Sequence, residues 1–389
     1  MKILVLGGAG KMGGIAVQTL ANDPRVDEVI IANLNPEAAQ AVANFIGSPK
    51  ISVASIDLRD HEALVEALKD VDAVVNATVY YTNLPVMEAC IQARTPYVDL
   101  GGLFHTTRKQ LQLDERFRQA GVAAVLGVGS APGVPNVQAR YAADRLDSIE
   151  SIHIYDGIKP PPPENSAFTY AVATILDELT MKPMVFRDGE FIEAEPLSEF
   201  EDYQFTRPLG SLPMHLSLHS EVATLPVSFA DKGVKEVFFK INYWGMSPET
   251  VARVRVLADY GLNNPEPVDV KGVKVAPRDL MVTLLRKYEP PSTDFLAPPA
   301  NKPPDWTKEI VTEVRGTKDG REITYRLGTL TVKGALPTGA APAIVAIWLA
   351  EGRIEPGVHP PELALDPEDF FSELKKLGIE TRVTVTREI

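Results

Sequence analysis

Lys2-Ile3-Leu4-Val5-Leu6-Gly7-Gly8-Ala9-Gly10-Lys11-Met12-Gly13 is the stretch on which the fold turns. Ile3 to Leu6 is a short apolar run that reads as a buried strand. Three glycines spaced by three, Gly7, Gly10 and Gly13, follow at once, and Met12–Ala21 then shows a helical pattern. A strand entering a glycine turn that opens a helix is the start of a dinucleotide-binding βαβ unit. Gly7, Gly8, Ala9, Gly10, Lys11, Met12 and Gly13 are therefore candidate cofactor contacts. Glycine lets backbone N–H groups approach a pyrophosphate, and the helix N-terminus supplies partial positive charge. Counted from Gly7, the spacing departs from G-x-G-x-x-G by one place at the middle glycine.

Outward from this loop the same alternation continues. Val29–Ala32, Ile51–Ile56, Ala73–Asn76, Tyr97–Leu100 and Val122–Gly127 read as strands, and Pro36–Phe45, His61–Lys69, Leu84–Ala93 and Thr107–Ala120 read as helices. This predicts an α/β Rossmann domain over residues 1–130, with a parallel sheet covered on both faces. Ligands of such sheets bind at the carboxyl ends of the strands. Asn33 ends the second strand where a carboxylate commonly holds the ribose of NAD. An amide does not repel a 2′-phosphate, and no arginine follows to grip one, so NAD and NADP both remain open. Asp57, after the third strand, is either an adenine contact or a helix cap. Asn76 and Ala77 end the fourth strand beside the expected cofactor path.

Beyond residue 130 the pattern changes. Pro160–Pro163 excludes helix and central strand. Glu236–Tyr243 and Thr250–Leu257 read as strands, Asp279–Lys287 as a helix, and Pro290–Pro304 as an ordered loop or lid. Glu309–Arg315 and Ile323–Thr331 flank Asp319-Gly320, a hairpin signal. These features predict an α+β substrate and dimerisation domain over 131–335. Residues 336–389 are expected as C-terminal helices, Ala341–Glu351 and Pro367–Leu377, packing back on the first domain. Asp366 suits an N-cap, Pro367 a first helical position and Gly378 a stop.

Composition excludes several classes. The 389 residues carry a formal charge of −13 and one cysteine. The acidic balance argues against nucleic acid or anionic membrane as a partner. A lone Cys90 in an apolar helical stretch reads as a core residue, and a single cysteine rules out an internal disulfide or a multi-thiolate metal centre. The six histidines are scattered without a metal-ligand pattern. There is no Gly-x-Ser-x-Gly elbow for a hydrolase, and the glycine loop lacks the Lys-Ser/Thr ending of an ATP-binding loop. The chain starts directly with a strand and its longest apolar run is interrupted by Pro342, so the expectation is a soluble, cytoplasmic protein.

Asn76-Ala77, Tyr97-Val98-Asp99-Leu100-Gly101-Gly102 and Ser130-Ala131-Pro132-Gly133-Val134-Pro135-Asn136, in that order, resemble the saccharopine dehydrogenase superfamily. Within it, Val275-Ala276-Pro277-Arg278-Asp279 and Gly357-Val358-His359-Pro360-Pro361-Glu362 look most like bacterial lysine 6-dehydrogenases. The resemblance covers nearly the whole chain. It implies reversible hydride transfer at a carbon bearing nitrogen, with oxidative deamination of the lysine ε-amine as first choice and a homodimer as the assembly. Sister enzymes that make or oxidise saccharopine or carboxynorspermidine are the alternative. A non-catalytic nucleotide-binding redox sensor is the alternative of another class.

Such chemistry needs a proton acceptor and a carboxylate clamp beside the cofactor. Asp99 ends a strand on the ligand side and is the first candidate base, although it can equally cap the next turn. His219 titrates in the useful range. Tyr81 is the third catalytic candidate. Tyr80, Arg207, Glu221 and Arg278 are candidate substrate contacts, the arginines for a carboxylate and Glu221 for an amine. No metal is expected.

Overall fold

The computed structural model describes residues 1–159, 170–242, 246–286, 296 and 307–387. The first part alternates as the sequence predicts: β1 (Lys2–Leu6), α1 (Lys11–Asn22), β2 (Glu28–Asn33), α2 (Pro36–Ile46), β3 (Ile51–Ser55), α3 (His61–Leu68), β4 (Ala73–Asn76), α4 (Asn83–Ala93), β5 (Tyr97–Asp99), α5 (Leu103–Leu111), α6 (Asp114–Ala120) and β6 (Ala123–Val125). The strands form a parallel sheet in the order β3-β2-β1-β4-β5-β6. Its strands are nearly continuous apolar runs because both faces are covered. The helix expected over Thr107–Ala120 is two helices, α5 and α6, which part at Gln112-Leu113.

The second part contains α7 (Val134–Ala143), β7 (Ser148–Lys159), α8 (Val172–Thr180), β8 (Met184–Arg187), β9 (Glu190–Glu193), β10 (Glu201–Gln204), β11 (Ser211–Leu216), α9 (Glu221–Ser228), β12 (Glu236–Ile241), α10 (Pro248–Leu257), β13 (Val268–Val270), β14 (Val273–Val275), α11 (Pro277–Leu285), β15 (Thr307–Lys318) and β16 (Arg321–Thr331). Asp319-Gly320 turns the β15–β16 hairpin, with both residues at positive φ. The segment expected as a strand over Thr250–Leu257 is helix α10. Ser247 caps it by accepting from the Thr250 N–H at 3.2 Å, and Pro248 occupies its first turn. Val251 and Val254, three apart, are buried, whereas Val256 is exposed. The spacing that matters is therefore the helical one, and the alternation Val254–Val256 was a false period of two. The expected lid at Pro290–Pro304 lies, apart from the buried Leu296, outside the described residues, as does the Pro160–Pro163 run.

The C-terminal part contributes to both sheets: α12 (Leu336–Ala350), β17 (Gly357–His359), α13 (Pro361–Ala364), α14 (Pro367–Lys376) and β18 (Glu380–Arg387). Helix α12 is apolar on nearly every side and buried between other elements, as such a helix must be. It lies against α1 so closely that a Cβ on Gly339 would sit 2.6 Å from the Cβ of Ile15. Asp366 caps α14 by accepting from the Asp369 N–H. Two strands correct the expectation of helices alone. β17 extends the parallel sheet beside β6. β18 pairs antiparallel with β16, so the chain ends in the second sheet, whose order is β10-β11-β12-β7-β15-β16-β18 with β8 and β9 branching from β12. The Thr/Val alternation of β18 suits a strand rather than a helix.

Candidate active site

One cleft of about 980 Å³ runs from the glycine loop of the first sheet to the second. Its first end is backbone. Gly7 sits at φ +75°, and a Cβ there would lie 2.9 Å from the Ala77 oxygen; a Cβ on Gly13 would lie 2.3 Å from the Gly7 oxygen. Neither position admits a side chain without moving the turn. The N-terminus of α1 has no side-chain cap and no acidic residue in its first turn. Its positive end is thus left for an anion, which fits the pyrophosphate of a dinucleotide. Gly7, Ala9, Gly10, Lys11, Met12, Asn33 and Ala77 line this end; Gly8 and Gly13 pack beneath it.

Asn33 Oδ1 accepts the Asn35 N–H at 2.9 Å, and Asn35 in turn caps α2. Asn76 is buried. It donates to Asn83 Oδ1 at 3.0 Å and accepts from Thr78, so it shapes the Ala77-Thr78 backbone rather than facing the cleft. Asp57 corrects both expectations for it. Its carboxylate forks onto Arg59, with a closest approach of 2.6 Å, and does not line the cleft. That hydrogen bonding pushes its pKa down to about 2. The cap of α3 is Asp60, which accepts from the Ala63 N–H.

Asp99 is also corrected. Its side chain is fully buried and absent from the cleft wall. Oδ1 accepts from the Gly101 and Gly127 N–H groups at 2.9 and 2.7 Å; Oδ2 accepts from Tyr97 Oη and Gln110 Nε2 at 2.9 and 2.6 Å. Burial holds its pKa above the usual carboxylate range despite these donors. With two donors on each oxygen, this carboxylate ties β5 to the turn after β6 and has no lone pair directed at a ligand. Arg207 is corrected for a simpler reason: it is exposed on the β10–β11 connection, away from the cleft.

The second end of the cleft is made of side chains. His219 stacks on Phe239 at 3.7 Å with the rings 6° from parallel, and its Nδ1 pairs with Glu221 Oε2. Burial disfavours the imidazolium, but Glu221, Glu178 and Asp156 together hold the His219 pKa above its ordinary value. Lys308 Nζ lies 2.9 Å from Asp156 Oδ2, and Tyr170 donates to Glu178. Asp156, Glu178, Lys308 and Tyr170 all line the cleft. Asp156 Oδ1 and Glu221 Oε1 are buried with no hydrogen-bond partner among the described residues. Arg278 and Tyr80 form another wall, where both bond to Asp177. Tyr81 is 57% exposed at the rim, edge-on to Tyr80. Among the described residues no cluster of three metal-ligating groups occurs.

Asp156, Glu178, Lys308 and Asp177 were not anticipated from the sequence. A signal for Asp156 existed: it is the lone acid within Ile152–Ile158, a run that apart from His153 is otherwise free of charged groups. A charge there must find a partner or a purpose.

Residues 3–125 match the family model described as Saccharopine dehydrogenase NADP binding domain. The first part of the chain thus carries a nucleotide-binding domain of the saccharopine dehydrogenase type. The chain is 24% identical to a carboxyaminopropylagmatine dehydrogenase of Synechocystis, over 97% of this chain and 96% of the relative. It is 26% identical to a carboxynorspermidine synthase of Vibrio cholerae, over 97% and 96%. Its fold matches apo saccharopine dehydrogenase (L-Glu forming) from Saccharomyces cerevisiae with a TM-score of 0.71 at 19% identity, covering 99% of each chain. The chain is a dehydrogenase-type oxidoreductase whose cofactor is NAD or NADP. A purely sensory nucleotide-binding role is set aside. No helix among the described residues is long and apolar enough to cross a membrane.

Proposed function

We propose that this oxidoreductase acts at the C–N bond of a cationic, carboxylated amine. The observation that carries this reading is Asp156 Oδ1, a buried acceptor without a partner among the described residues, in the same cleft as the glycine loop. A substrate ammonium satisfies an acceptor that is otherwise costly to bury. Bound NAD(P) supplies the hydride donor or acceptor. His219, oriented through Nδ1 by Glu221, exchanges a proton with the substrate nitrogen through Nε2. Arg278 receives the carboxylate: its Nε and Nη1 have no hydrogen-bond partner among the described residues. Tyr80 and Tyr81 wall the cofactor side.

The near full-length relatives are named for carboxylated amines, so a carboxynorspermidine-like secondary amine is the leading substrate. The lysine ε-amine is the second reading, favoured by the same pairing of one cationic clamp with an acidic end. Saccharopine, with three carboxylates, fits less well, because Lys308 is already neutralised by Asp156. A cytoplasmic homodimer is part of the proposal. The test is reduced-nicotinamide absorbance with carboxynorspermidine, lysine and saccharopine, each with NADP⁺ and NAD⁺. Carboxynorspermidine should give the fastest reduction; absence of turnover with all three would sink the reading.

A further inference from the structure

Asp177 lies on α8 and is 2% exposed, yet its Oδ2 accepts from both halves of the molecule. Tyr80, from the turn after β4 of the nucleotide-binding sheet, donates at 2.8 Å. Arg278 Nη2, from α11 of the second part, donates at 2.6 Å and also reaches the Ala173 oxygen at 3.1 Å. Tyr80 and Arg278 line the cleft; Asp177 stands behind them. The guanidinium is thus fixed from one side while Nε and Nη1 remain for a ligand. A planar guanidinium held in this way loses little freedom when it accepts a carboxylate.

The geometry points to Asp177 as a positioning residue that makes carboxylate recognition by Arg278 conditional on the two halves closing over the cleft. Arg278 and Asp177 belong to the same half and pair without help. Tyr80 joins them only when the nucleotide-binding sheet is against α8, and its hydroxyl then shares the oxygen that orients Arg278. Burial and the Asp177 charge push the Tyr80 phenol up, so it remains a donor across the working pH range. The inference rests on the C–N reading above, with Arg278 as carboxylate receptor.

Calorimetric titration of the NADP⁺-loaded protein with carboxynorspermidine and norspermidine, which differ by one carboxyl group, tests it. The wild-type protein should bind the carboxylated probe roughly 10–100-fold more tightly, the range of a hydrogen bond between charged groups. Arg278→Ala should abolish that ratio, and added guanidinium ion should recover part of it. Tyr80→Phe and Asp177→Asn should each cut the ratio about 10-fold. In turnover of the carboxylated probe both should raise KM more than they lower kcat. If Asp177→Asn does not fold, Tyr80→Phe, which removes one oxygen atom, carries the test. A ratio unchanged in Tyr80→Phe overturns the inference, as does equal binding of the two probes by the wild type, which leaves the C–N reading intact. Binding of neither probe overturns that reading and the inference with it.

Discussion

At the glycine-loop end of the cleft, the lining comes from one short segment, Gly7, Ala9, Gly10, Lys11 and Met12, and the turn depends on the absence of a side chain at Gly7 and Gly13. At the other end, the groups are polar and charged side chains drawn from β7, α8, the residues just before α9, α11 and β15, as far apart as Asp156 and Lys308. The first arrangement is local, because a tight turn and a helix N-terminus are made by one short segment. The second is assembled by strand register: β7 and β15 run antiparallel with Asp156 opposite Ile310, which brings Lys308 within reach of the Asp156 carboxylate. A generic cofactor can be held by the first kind of device, and a particular substrate needs the second.

This contrast can be broken by variants that separate holding from chemistry. The largest effect is expected from His219→Ala, which should lower kcat by about 10²–10⁴ while NADPH affinity, read by fluorescence titration, stays unchanged. Loss of NADPH binding in that variant would erase the division between the ends. Gly13→Val should do the reverse and weaken NADPH binding by roughly 10–100-fold, since a Cβ at 2.3 Å from the Gly7 oxygen forces the turn apart. Asp99→Asn should behave as neither. It removes an acceptor for buried N–H groups and should cost about 1–3 kcal/mol of stability in chemical unfolding, with kcat reduced far less than by His219→Ala. A catalytic loss at full stability would return Asp99 to the reaction.

A pH profile sharpens the substrate end. His219 has its pKa raised in the folded protein, so the stability it adds is fully present below its ordinary value near 6.5 and is lost as pH rises through the folded value. If the neutral imidazole is the base, kcat/KM climbs through that same folded value. Glu221→Gln removes a partner that raises it, and the inflection should move to lower pH; an inflection that stays in place would mean another group titrates. The smallest effect is expected at Asp57→Ala. Its exposed pair with Arg59 lies off the cleft, and NADPH affinity should change by less than about twofold.

The same difference in construction explains what could be read in advance. The βαβ alternation of the first part was legible because fully buried parallel strands and amphipathic helices leave distinct apolar periods, as at Ile3–Leu6 and Pro36–Ile46. The caps Asn35, Asp60 and Asp366 lie in the few residues around a helix start, and Asp366 was legible there. His219, Tyr80 and Arg278 could be named as candidates by residue type. Asp99 was misread because a carboxylate at the end of a strand on the ligand side looks the same in sequence whether it faces the cleft or four buried donors. Helix α10 was misread because valines at 251, 254 and 256 fit two periods, and only the buried pair distinguishes them.

By itself the sequence determined that a dinucleotide loop opens the chain, that a parallel sheet follows, and that one cysteine and scattered histidines leave the chemistry to a cofactor and to ordinary acids and bases. Tertiary structure decided which of those acids and bases share a cleft. It buried Asp99 among donors, left Arg207 on the surface, placed Glu221 behind His219, and brought Asp156, Glu178, Asp177 and Lys308 to the cleft and the wall behind it. Backbone geometry is set by near neighbours along the chain. The partners of a charged side chain, and therefore its protonation and its role, are set by which strands and helices pack beside it.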